Sequence, residues 1–171
     1  VFLDNYLRYF QDPALSVAIT NSLTVTAIAT TITIVIAFIY AYAIARSRMF
    51  GRGIFKGIAL VPLLAPSLLP GLSLVYLFGN QGFFKGALGG SIYGFDGIVI
   101  SQVFYCFPHA LMILVAALSM ADARLYEAAD ALGAAKVRVF FTVTLPGATY
   151  GVISAGFVSF TLVLTDSGIA K

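Results

Sequence analysis

Residues 127–146 read EAADALGAAKVRVFFTVTLP, and the reading of this stretch decides the fold. With Arg124 just upstream, it gathers Glu127, Asp130, Lys136 and Arg138 into one polar interruption between long apolar runs. Hydrophobic residues make up 60% of the 171-residue chain and charged residues only 10%, where a soluble domain carries about 25% charged. Water cannot solvate such a chain folded as a globule. The bilayer is its natural solvent, and only helices or closed barrels span a bilayer. The apolar runs are continuous and do not alternate with period two, so they predict helices. The expected fold is all-α: a polytopic transmembrane bundle, one domain over 1–171, with a short helix outside the membrane.

Four spans are predicted, at about 16–45, 57–78, 98–120 and 147–165. The first has no charge, and its apolar part, residues 23–45, covers about 35 Å at 1.5 Å per residue. Its threonines (Thr24, Thr26, Thr30, Thr31 and Thr33) are expected to bond back to their own helix carbonyls. Pro13 is expected to break any helix in the preceding segment, where Tyr6, Tyr9 and Phe10 suit headgroup level. The second span carries Pro62, Pro66 and Pro70 at four-residue spacing. Each removes a backbone donor and crowds the preceding turn, which predicts a kinked or locally unwound helix. Such a helix suits the wall of a translocation path, or is a packing kink without a role. Residues 79–97 are glycine-rich with interleaved aromatics and fit an external loop. The third span has Gln102, Pro108 and His109 as its polar or bent points. No carboxylate or second histidine lies within a turn of His109, so it reads as a pore-wall or packing residue. The fourth offers Gly151, Ser154, Gly156 and Ser159 as small packing surfaces, and Asp166 reads as its end.

Charge supports the span count. Arg46, Arg48, Arg52 and Lys56 crowd the connection after the first span with no acid among them. Alternation puts them on the same side as Arg124, Lys136 and Arg138, leaving only Arg8, Lys85 and Lys171 opposite. The positive-inside rule makes the richer side cytoplasmic. The net charge of +3 is thus topological, and no nucleic-acid surface is expected. The single cysteine, Cys106, excludes an internal disulfide and a multi-cysteine metal site. No paired nucleophile and base stands within the spans, so an intramembrane enzyme is disfavoured. A non-transport membrane scaffold would leave the polar stretch unexplained.

Within that stretch, about 122–141, the pattern is helix, turn, helix. Asp122 suits an N-cap. Leu125, Ala128, Ala129 and Leu132 form one apolar stripe, and Gly133 suits a C-terminal stop. Leu145-Pro146 is expected to halt the second segment and redirect the chain into the membrane. Mixed charge on the polar face suits a protein socket better than anionic lipid.

Glu127-Ala128-Ala129, then Gly133, then Val143-Thr144-Leu145-Pro146 resembles the signature of permease subunits of binding-protein-dependent ABC importers. Val143 stands where isoleucine is commoner. Asn21-Ser22-Leu23 and Ala41-Tyr42-Ala43-Ile44-Ala45-Arg46 are similar to the ends of that family's first core span. The resemblance implies a bundle like that of the methionine importer permease. It implies a cytoplasmic coupling helix docked on an ATP-binding subunit, with Arg124, Glu127, Ala128, Ala129, Asp130, Gly133, Leu145 and Pro146 as coupling residues. Pro62, Pro66, Pro70 and His109 are the translocation-path candidates; no catalytic or metal-binding residue is expected. The expected partners are the ATPase, a second permease half or copy, an external solute-binding protein and the lipid of a bacterial inner membrane. ATP is bound by the partner, since no Walker-type loop is present here. The wording around the motif and in LTDSGIAK looks most like permeases for 2-aminoethylphosphonate or, second, ferric iron. Members of the family have a further span on either side, so the chain is expected to be a piece of a longer protein.

Overall fold

The computed structural model describes residues 13–47, 50–85 and 92–166. The expectations for Tyr6, Tyr9 and Phe10, and part of the 79–97 loop, fall outside these residues. The described chain is helical, in the order α1 (Pro13–Arg46), α2 (Arg52–Leu60), a 3-10 turn (Val61–Leu64), α3 (Leu68–Phe78), α4 (Phe95–Ser119), α5 (Ala123–Ala131), α6 (Lys136–Val139), a π turn (Phe140–Thr144) and α7 (Leu145–Thr165). Three continuous helical segments are long and apolar enough to cross a membrane: Pro13–Arg46, Phe95–Ser119 and Lys136–Thr165.

α4 lies at the centre and supplies the bulk of the core. Its Leu111, Leu114 and Leu118 are fully buried. They meet small residues from either side: Ala37 and Ala41 of α1, Ala148 and Ala155 of α7. On α1 the buried positions Ala29, Thr33, Ala37 and Ala41 recur every fourth residue, the spacing that lets helices approach closely in lipid. On α7 a Cβ at Gly151 would run into the Cβ of Ala117. Ser159 is buried in the same seam, but Ser154 is exposed and Gly156 faces open space, so these two are not packing surfaces here. Ala29, Val99, Cys106 and Val163 cluster at one level of the bundle, and Ala41, Leu118 and Ala148 at another. α1 and α4 therefore run parallel, with α7 antiparallel to both.

Thr24, Thr26 and Thr31 bond back to the carbonyls of Thr20, Ser22 and Ala27, each at 2.7 Å. Thr30 and Thr33 depart from the expectation: their hydroxyls are buried and find no partner among the described residues. What Pro13 does to the segment before it falls outside the described residues, but Pro13 itself belongs to α1. It occupies the first helical position, where a missing N–H costs nothing and the ring's fixed φ suits the helix.

The second span is broken at its prolines, as expected: two helical pieces, Arg52–Leu64 and Leu68–Phe78, are bent by 100°. Pro62 lies in the first turn of the 3-10 segment. Ala65, just before Pro66, is extended at φ −93° and ψ 137°, the region into which a following proline ring pushes its neighbour. Pro70 then falls in the first turn of α3. Arg52 and Lys56, expected in a loop, lie on α2.

Leu145-Pro146 corrects the expectation. The helical path runs unbroken from Lys136 to Thr165. Pro146 lies in the first turn of α7, and the wider turn before it absorbs the ring, with the Leu145 N–H bonded to the Phe140 carbonyl five residues back. The helix that carries the fourth predicted span thus starts at Lys136, ahead of the span's expected beginning at 147.

Candidate functional site

α5 is specified almost entirely by its own caps. The Asp122 carboxylate accepts from the Arg124 N–H at 2.9 Å, closing the first turn. At the other end Gly133 takes φ +66°. Its N–H reaches the Asp130 carbonyl at 3.0 Å, and the Ala134 N–H reaches the Ala129 carbonyl at 3.0 Å. That pair is the Schellman arrangement, which needs a left-handed residue where glycine stands. The predicted cap and stop therefore hold.

No residue of α5 is buried. Leu125 is 55% exposed and, just past the helix end, Leu132 is 86% exposed. Glu127, Ala128 and Asp130 are also exposed, and Ala129 is half-buried. The apolar stripe read from the sequence thus exists, and among the described residues nothing buries it.

Tyr126, which the sequence reading passed over, holds the helix in place. Its hydroxyl donates to Thr144 Oγ1 at 3.0 Å, tying α5 to the π turn. Its ring lies under the Arg46 guanidinium, 3.8 Å from centroid to Cζ. Arg46 in turn donates to the Leu118 carbonyl at the end of α4, at 3.0 Å. The only sequence signal was the position of Arg46 and Tyr126 at the edges of two recognised stretches. Phe140 of the π turn sits edge-on to Phe38 and Tyr42 of α1, at 6.1 and 5.4 Å. Leu145 and Pro146 follow directly, so the contact at Thr144 brings both ends of the 127–146 stretch to one place. The C-terminal ends of α1 and α4 and the N-terminal end of α7 converge there with α5.

The path candidates do not gather in the same way. Pro62, Pro66 and Pro70 mark the bent pair. His109 lies on α4, where its Nδ1 is 3.3 Å from the Tyr105 carbonyl one turn back. At the opposite end of the bundle the Gln102 side-chain N–H donates to Asp166 Oδ2 at 3.1 Å. Asp166 ends α7, as expected, with its own N–H on the Leu162 carbonyl; its contact with Gln102 was not foreseen.

A family model for "Binding-protein-dependent transport system inner membrane component" matches residues 33–170, which include α5, its caps and the converging ends of α1, α4 and α7. The chain belongs to this family of inner membrane permeases. Among known relatives, it is 29% identical over 94% of its length to the spermidine/putrescine transport system permease protein PotC of Haemophilus influenzae, covering 60% of that protein. It is 32% identical over 97% of its length to the putrescine transport system permease protein PotI of Escherichia coli, covering 59%. The molybdenum transport system permease protein ModB of H. influenzae is 32% identical over 72% of the chain, which covers 56% of that protein. The chain thus spans well under two thirds of the length of these relatives. They are polyamine and molybdenum permeases, and give no support to the 2-aminoethylphosphonate or ferric iron expected from the wording of the motif.

Proposed function

We propose that this chain is the membrane-spanning part of an ABC importer permease, coupled to a separate ATPase through α5. The observation that carries the reading is a helix preformed by caps at both ends, tied to the bundle by one tyrosine, whose motif residues are left unburied by the described residues. A preformed helix docks without paying the entropy of folding. Arg124, Glu127, Ala128, Ala129, Asp130 and Gly133 face the ATPase, with Leu145 and Pro146 behind them at the root of α7. The ATPase binds the ATP, a second permease half or copy completes the path, and a solute-binding protein delivers from the opposite side. The basic end of the bundle is cytoplasmic. The bent α2–α3 pair, with Pro62, Pro66 and Pro70, and His109 on α4 line the route.

For substrate we favour an organic cation of the polyamine class. The alignments with polyamine permeases run over nearly the whole chain, while that with the molybdenum permease covers less of it. Among the described residues the basic side chains other than Lys85 gather at the α5 end. Asp96 and Asp166 sit at the other, and a carboxylate in that position suits an amine better than an oxyanion.

A cysteine at Ala129 in the full-length permease, co-expressed with its ATPase, should crosslink to that subunit, with a yield that changes on adding ATP. Absence of a crosslink at every position from 124 to 133 sinks the coupling assignment. Uptake of labelled putrescine is expected; uptake of molybdate or aminoethylphosphonate in its place overturns the substrate class.

A further inference from the structure

We propose that Arg46 and Tyr126 are positioning residues of a single joint that fastens the docking helix to the converging ends of α1, α4 and α7 together, and that a displacement of the docked helix is transmitted through it. The proposal rests on the coupling role of α5. Its geometry rests on contacts that the Glu127–Pro146 signature does not describe, since neither Arg46 nor Tyr126 belongs to that signature.

Among the described residues, the side-chain hydrogen bond and the ring contact from α5 to the rest of the chain beyond its caps are both made by Tyr126. They lead to different places. The hydroxyl reaches Thr144, which is fully buried in the π turn at the root of α7. The ring face reaches the guanidinium at the end of α1, and that guanidinium reaches the last buried turn of α4 through the Leu118 carbonyl. Four elements therefore meet in a chain of contacts whose links are 3.0, 3.8 and 3.0 Å.

Chemistry favours arginine and tyrosine in these places. A guanidinium stacks flat on an aromatic ring and still donates in its plane, which a lysine ammonium does not do. At the C-terminal end of α4 it also meets the negative end of the helix dipole. Tyrosine offers a face to the cation and a hydroxyl to the threonine at once. A further sign comes from Arg46 Nε, which is buried and finds no acceptor among the described residues. An unpaired buried donor carries a free-energy cost, and a second arrangement of the joint that pairs it would be favoured by that amount. A joint with two arrangements is what a switching transporter needs at this place.

The test uses the full-length permease with its ATPase in proteoliposomes, with the Ala129→Cys crosslink as a docking reporter in every variant. Docking is expected to persist in all of them. Solute moved per ATP hydrolysed should fall about tenfold in Arg46→Gln and in Tyr126→Leu, the scale of one desolvated cation–π contact. Tyr126→Phe, which keeps the ring and loses only the bond to Thr144, should lose roughly threefold. Because the two residues act through each other, the double variant Arg46→Gln/Tyr126→Leu should be no worse than the poorer single one. Unchanged coupling in the single variants, or losses that multiply in the double one, overturns the joint while leaving the coupling role of α5 intact. A native chain that shows no Ala129→Cys crosslink removes both together. Should Arg46→Gln fail to insert, Tyr126→Phe decides alone, since it deletes one hydroxyl and no packing.

Discussion

α4 and α5 are neighbours in sequence, and they are held in opposite ways. α4 is held by what surrounds it: Leu111, Leu114 and Leu118 are buried among the alanines of α1 and α7. It tolerates Pro108 in its interior because tertiary packing carries it. α5 buries none of its residues and is held by its ends: a carboxylate cap before, a left-handed glycine after, and Tyr126 as its mooring. A helix whose shape comes from its neighbours is part of the frame. A helix shaped by its caps is free to present its face to another molecule.

Four substitutions probe that contrast, from the largest effect to the smallest. Leu114→Ala hollows the centre of α4 and should cost about 2–5 kcal/mol, seen as a drop in the melting temperature of the detergent-purified full-length protein. Gly151→Leu forces a side chain into Ala117 and should cost about 1–3 kcal/mol by overpacking, read by the same melt. Gly133→Ala puts a Cβ on a left-handed residue, a penalty of about 1–2 kcal/mol. It should fray α5 and weaken the crosslink to the ATPase while leaving the melt of the bundle in place. Asp122→Ala removes the N-cap for about 1 kcal/mol and should appear as faster hydrogen exchange at the Arg124 amide. If Gly133→Ala or Asp122→Ala lowered the bundle's melting temperature as far as Leu114→Ala does, the distinction between frame and presented helix would collapse.

Composition was enough to read an all-α membrane bundle, because continuous apolar runs leave few alternatives in lipid. The caps of α5 were legible because capping is local: Asp122 and Gly133 act on residues within a turn or two. The prolines were legible only in part, since the same residue gave opposite results. Pro66 broke the second span because Ala65 before it went extended. Pro146 broke nothing because a π turn preceded it. Whether a proline lands in a first turn depends on where the helix starts, and tertiary contacts such as Phe140 against Phe38 and Tyr42 bear on that. Arg46 with Tyr126 and Gln102 with Asp166 were out of reach for the same reason. Each pair is joined only by the fold, across 80 and 64 residues of chain.

The division of size between the helices also constrains how this sequence can drift. A leucine on α4 can be exchanged for another apolar side chain of similar volume at small cost. The α1 positions Ala29, Thr33, Ala37 and Ala41, with Gly151 on α7, have no such latitude, because their neighbours already occupy the space a larger residue would need. Substitution is thus tolerated in one direction only, toward the smallest side chains, and a lineage that enlarges one of these residues must shrink its neighbour on α4 in the same step.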